Sequence, residues 1–255
     1  MYTAEQEFEH LLPRINFNSP YKNEQHINRT YTWFSTDSYP TYHENTLNRL
    51  DELQKYNWVG SHITYTFNSY GFRSEEFTDD PTIMFLGCSN TFGTGLSAEH
   101  TWPQIVSKLT GYRCANLAID GTSPDCAFRI CLGYIDIVKP KLVIYNQSPG
   151  IRLEVVTKQG PKNYGIAGIK LTDQFLLDFI EKDDNDWLNR MKNVFAMEML
   201  CKTRGIQFLY TPNFHHDHSG DKDYARDLIH LGIKHNHAFA LYVVEQLEKK
   251  LKFNF

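Results

Sequence analysis

Four short apolar runs, each followed by a stretch with helical spacing, constrain this chain more than any other feature. TIMFLG (82–87), CANLAI (114–119), KLVIY (141–145) and IQFLYT (206–211) show no polar alternation. Strands buried on both faces read this way. Near 98–110, Trp102, Ile105, Val106 and Leu109 fall at helical spacing. Over 124–138, after the cap signal TSPD, Phe128, Cys131, Leu132 and Ile135 do the same. A further helix fits 186–203, and a last one fits 236–251 with Ala240, Val243, Val244, Leu247 and Leu251 as its stripe. This alternation predicts a mostly parallel sheet with helices on both faces, a three-layer α/β/α sandwich. In such sheets the reactive loops lie beyond the carboxyl ends of the strands.

The sandwich accounts for only part of the chain. A length of 255 residues suits one large domain with an appendage rather than two full domains. The appendage shows in the aromatics: 16 of the 36 Phe, Tyr and Trp lie in the first 80 residues, against 20 in the remaining 175. Residues 1–77 therefore read as an aromatic-rich N-terminal extension docked on a body of 78–255. Within it, 45–57 suits a short helix with Leu47, Leu50 and Leu53 on one face, and 63–72 a strand entering a Gly turn.

Composition removes several classes of function. A net charge of −4 argues against a nucleic-acid binder, which needs a basic footprint. No apolar run approaches the roughly 20 residues of a membrane span. The first residues, MYTAEQEFEHLLPR, lack the basic end and apolar stretch of a secretory signal, so the expected location is the cytoplasm or a larger particle. Five cysteines without a CxxC predict reduced, buried thiols rather than a disulfide framework or zinc knuckle.

At the end of the first run lies Gly87-Cys88-Ser89-Asn90-Thr91-Phe92-Gly93-Thr94-Gly95. It lacks the Lys of a Walker loop and the spacing of a dinucleotide loop, so no nucleotide cofactor is expected. Two readings remain: a serine displayed on a tight strand-to-helix turn, suited to a nucleophile, or a glycine-rich connection. After the second run, Gly121 stands where a backbone N–H can face the same crevice. Asp227-Leu228-Ile229-His230 precedes the last helix, and an acid three residues before a histidine can orient its ring toward a serine. Asp221 and Asp223 are rival acids with poorer spacing. His235 and His237 read as the start of the last helix, facing solvent or the sheet edge. His215-His216-Asp217-His218 reads as a polar loop at the mouth of the site; adjacent residues do not converge on one ion, so no metal is expected.

In combination and order these segments resemble the SGNH hydrolases, the GDSL esterases and lipases. GCSNTFGTGL resembles the first block, NLAIDGTS the second, DLIHLGIKHNHAFA the last, and NSYGFRSEEF (68–77) a stretch often found ahead of the first. The resemblance covers about 68–250 and implies an SGNH/flavodoxin-like fold. It implies Ser89 as nucleophile, His230 as general base and Asp227 as its orienting acid. It implies the N–H groups of Ser89 and Gly121, with the side chain of Asn146, as an oxyanion hole. The sequence departs from the family at Cys88, where Asp is usual, and at YNQSPGIR (145–152), where Gly-x-Asn-Asp is usual. Asn146, Gln147 and Ser148 are the alternatives for the missing amide donor.

The resemblance thus implies an esterase acting on a small-molecule or glycan ester. With the aromatic leader it points to removal of a small acyl group, an acetyl, from a carbohydrate. The alternative is a weak or inactive SGNH-fold protein that binds glycans or has a structural role. For Trp33, Tyr39, Tyr42 and Trp58 there are two readings, a substrate-stacking wall or packing of the leader on the body. Every candidate catalytic residue falls after residue 80, so the leader is expected to supply no chemistry.

Overall fold

The computed structural model describes residues 26–157, 160–164, 183–212, 214–215 and 222–251. The expectations for residues 1–25, for His216, Asp217 and His218, and for Asp221 lie outside the described residues.

The apolar runs form one four-stranded parallel sheet. Two-residue strands β1 (Thr30–Tyr31) and β2 (Tyr65–Thr66) pair antiparallel in the leader, flanking helices α1 (Tyr39–Asn48) and α2 (Leu50–Lys55). The sheet contains β3 (Thr82–Leu86), β4 (Arg113–Asn116), β5 (Leu142–Asn146) and β8 (Gln207–Thr211), in the order β4-β3-β5-β8. Helix α3 (Ser89–Phe92) and helix α4 (Trp102–Thr110) follow β3, and α5 (Pro124–Val138) follows β4. A hairpin of β6 (Leu153–Thr157) and β7 (Gly160–Tyr164) follows β5; α6 (Asp183–Thr203) leads into β8, and α7 (Ile233–Gln246) comes last.

Period-two alternation divides the core between two layers. Met84, Leu86, Val143 and Tyr145 pack with Ile130, Cys131, Ile135 of α5 and Met197, Cys201 of α6. Ile83, Phe85, Leu142 and Ile144 face the other way, onto Trp102 and Val106 of α4 and Phe239, Ala240 and Val243 of α7. Because β3 and β5 are buried on both faces, their sequences show no polar alternation, and Thr82 and Asn146 stand only at their ends. The three-layer α/β/α sandwich with a parallel sheet expected from the alternation is the architecture of the body. Five free cysteines are present, four of them buried.

The helix stripes are close to those read from the sequence, except that Leu109 is exposed. The 45–57 segment divides into α1 and α2, because Arg49 between them leaves helical geometry; Leu47 and Leu50 are exposed, and only Leu53 is buried. Leu53, Trp58, Ile63, Tyr65 and Phe67 of the leader form a third core with Phe92, Leu96, Ala118, Ala225 and Leu228 of the body. A buried ion pair crosses the same boundary: Arg226 spans Asp37 with bonds of 2.9 and 2.7 Å and stacks on the Trp33 ring at 4.0 Å.

Candidate active site

Two neighbouring strands set the position of the site. The chain leaves β3 for β4 on one side and returns to β5 on the other, so the crevice beyond the ends of β3 and β5 is the topological switch point. Gly87 makes the turn off β3. A Cβ there would stand 2.3 Å from Thr91 Oγ1 and 3.0 Å from the Asn146 carbonyl oxygen, so only glycine fits. Ser89 begins the four-residue α3 immediately beyond. The turn is tied down from behind: Asn116 Nδ2 donates to the Thr91 carbonyl at 2.8 Å. Arg73 donates to the carbonyls of Gly93 and Leu96 at 2.7 and 2.6 Å.

Asp227 and His230 lie on a tight loop ahead of α7. Leu228 takes the left-handed conformation, φ 53°, and Ala225 and His230 close the loop with a 2.8 Å backbone bond. His230 Nδ1 donates to Asp227 Oδ2 at 2.6 Å. The backbone N–H groups of Ile229 and His230 donate to Asp227 Oδ1 at 3.1 and 3.0 Å, and Thr36 Oγ1 donates to Oδ2 at 2.8 Å. Burial alone pushes the Asp227 carboxyl up, but the His230 ring and the two backbone donors outweigh it and hold the group below the usual carboxylate range. Burial likewise works against a charged His230. The hydrogen bond and charge of Asp227, with a smaller contribution from Asp120, reverse that and raise the imidazole above its ordinary value.

Ser89 and His230 line one cavity of about 510 Å³, with Gln147, Arg152, Phe214 and His215 also on its wall. Among the described residues Ser89 Oγ donates to Cys88 Sγ at 4.0 Å and makes no hydrogen bond to His230. In ligand-free enzymes such bonds are often long and tighten when substrate arrives. Asp227 sits behind His230 with its side chain fully buried.

The other expected residues divide. Gly121, at φ 70°, lines an adjoining cavity with Ser35 and Asp120 rather than the one containing Ser89. Asn146 is buried, and its amide donates to the Thr211 carbonyl at 3.0 Å on the neighbouring strand. It therefore does not reach the cavity as an oxyanion donor, because its place in β5 turns it into the sheet. Of the three third-block alternatives, Gln147 lines the cavity, with its Oε1 accepting from Tyr210. Ser148 is fully buried.

None of the four aromatics lines that cavity. Trp58 is core and donates to the Tyr224 carbonyl at 2.8 Å, Trp33 covers Arg226, and Tyr39 is exposed. Asp223 is no rival acid, since it caps α7 by accepting from the N–H groups of Lys234 and His235 at 2.8 and 3.0 Å. His237 is exposed as expected, but His235 is buried and donates to the Phe214 carbonyl. Among the described residues, no three His, Cys, Asp or Glu side chains form a metal-binding group, and no helix is long and apolar enough to cross a membrane.

Sequence reading missed Thr36, Asn45 and Arg49 of the leader, which donate to Asp227 Oδ2, to the Asp227 carbonyl and to the Leu228 carbonyl. The leader therefore hydrogen-bonds both the carboxylate and the backbone of the Asp227–His230 loop. No local pattern marks these residues, because their partners lie near the other end of the chain. Arg152, by contrast, stood in plain view as the one charged residue of YNQSPGIR.

The first block ends β3, the second follows β4, and the Asp-x-x-His loop precedes the last helix, all on a sheet of order β4-β3-β5-β8. The fold is a three-layer α/β/α sandwich on a parallel sheet. No family model matches the sequence, and no curated protein matches it. Solved structures similar to the chain include TesA, at 14% identity and a TM-score of 0.47, covering 66% of this chain and 98% of that one. The psychrotrophic esterase EstA from Pseudoalteromonas sp. has 15% identity and a TM-score of 0.41 over 68% of this chain and 100% of its own. An acetyl xylan esterase, Est2A from the rumen bacterium Butyrivibrio proteoclasticus, has 12% identity and a TM-score of 0.41 over 75% of this chain and 68% of its own.

Proposed function

We propose that the protein is a serine ester hydrolase that removes a small acyl group, an acetyl, from a carbohydrate or related ester. Ser89 Oγ loses its proton to His230 Nε2 and attacks the ester carbonyl carbon. The carbonyl oxygen takes the negative charge and is held by the N–H group of Ser89 and by the side-chain amide of Gln147, in place of Asn146. The carbon–oxygen bond to the alcohol breaks, and the alcohol leaves with the proton from His230. A water then gives a proton to His230 and attacks the acyl-serine. Free acid is released and Ser89 is restored. Asp227 keeps His230 in the tautomer that accepts at Nε2 and stabilises the imidazolium that forms.

The observation that carries this reading is the 2.6 Å bond from His230 to a buried carboxylate, in a histidine that shares its cavity with Ser89. A second reading, an SGNH-fold binding protein without turnover, draws on Asn146, whose amide is committed to Thr211. A fluorophosphonate probe separates the two. Labelling that disappears in Ser89→Ala supports the hydrolase, and no labelling between about pH 6 and 9 overturns it.

A further inference from the structure

We propose that this cavity takes esters bearing a negative charge close to the scissile bond, and that Arg152 receives that charge. The inference rests on the esterase reading of the same site. It names the substrate class: an acyl ester of an acidic compound such as a uronic-type sugar, with a carboxylate as the anion.

Arg152 lines the cavity with Ser89 and His230, on the loop that leaves β5. Among the described residues its guanidinium makes one hydrogen bond, from Nη1 to the Thr122 carbonyl at 3.3 Å. That bond sets the head group beside the Gly121 turn, and among the described residues the other N–H donors of the fork have no partner. Among the described residues, no carboxylate stands within ion-pair distance of it; Asp120, beside the Gly121 turn, accepts from the hydroxyls of Ser35 and Thr94, and other acids nearby have cationic partners. Asp186, on the same wall, pairs with Arg190 at 2.5 Å, and Glu154 pairs with Arg129 at 2.5 Å. Asp125 pairs with Lys192 at 3.2 Å, and Asp227 is held by His230.

Arg152 is therefore a cation on the cavity wall without an ion-pair partner among the described residues. A half-buried guanidinium with an open fork suits a planar carboxylate in two-point contact. Its charge is also felt at the reacting centre, where it opposes protonation of His230. A bound anion would cancel that opposition.

The test uses 4-acetoxybenzoate and its neutral methyl ester as paired probes. In the wild-type protein kcat/KM is measured for both, and in Ser89→Ala the binding of both is measured by calorimetry. Arg152→Gln is expected to lower the anionic-to-neutral ratio at least tenfold in each assay, through KM rather than kcat, which corresponds to about 1.4 kcal/mol. Arg152→Lys, which keeps the charge and loses the fork, is expected to fall between.

An unchanged ratio in Arg152→Gln, or equal losses on both probes, overturns the anion site while hydrolysis by the wild type leaves the esterase reading standing. Tighter binding of the anion that depends on Arg152, without hydrolysis or fluorophosphonate labelling, overturns the esterase reading and leaves the anion site standing.

Discussion

Thr36 Oγ1 donates to Asp227 Oδ2 at 2.8 Å, so the oxygen that accepts the His230 proton is also held from the leader. Replacing Thr36 with Val removes one donor from a buried carboxylate and leaves the shape nearly unchanged. The expected cost is about 1–3 kcal/mol of stability, with a fall in ester turnover; Thr36→Ser recovers most of both. Urea midpoints and p-nitrophenyl acetate rates of the two variants check this. Equal behaviour of the Val and Ser variants would mean that the hydroxyl does nothing for Asp227.

Asp227→Asn tests the acid directly. The amide preserves volume but cannot hold the same His230 tautomer, and comparable changes lower kcat by about 10⁴. The folded state should persist, seen as a retained cooperative thermal transition. Turnover within about tenfold of wild type would assign the wrong acid.

The pH dependence has a definite sign. In the proposed mechanism catalysis needs neutral His230, and Asp227 raises its pKa, so activity should rise with pH through a value above the ordinary imidazole one. For stability, the raised His230 contributes fully below its unfolded pKa, and that contribution is lost as pH rises through the folded one. The lowered Asp227 contributes above its unfolded pKa and loses this as pH falls through the folded one. Urea titrations at stepped pH should show a stability loss above neutrality that His230→Gln lacks. A wild-type pH–rate profile with its lower limb below the ordinary imidazole value would contradict the assignment.

Asp37→Ala should be among the most damaging changes in the leader. It leaves Arg226 buried without its carboxylate, a situation that costs about 3–5 kcal/mol. Activity should fall with it, because Arg226 precedes Asp227 on the same loop. A urea midpoint within error of wild type would show that the carbonyls of Thr32 and Ser61 suffice for the guanidinium.

The sheet was legible because β3 and β5 are covered on both sides, which leaves nearly continuous apolar runs with Thr82 and Asn146 only at their ends. The Ser89 turn and the Asp227–His230 loop were legible because each is local: a glycine forced by close approach, and two residues three positions apart. Asn146 was misread because spacing along a strand does not say which way a side chain turns. Thr36 was invisible because its partner is 191 positions away and nothing around it departs from an ordinary polar loop.

The Arg226–Asp37 pair joins residues 189 positions apart, and the fold cannot make that contact until nearly the whole body exists. During synthesis Ser89 emerges long before the acid that would orient its base, and the leader waits unpaired for Arg226. On the proposed mechanism the nascent chain therefore stays inert toward esters until the Asp227–His230 loop has been made and has met the leader, so activation is coupled to formation of that contact. Closing so long a loop also places the assembly of the acid's surroundings among the later events of folding.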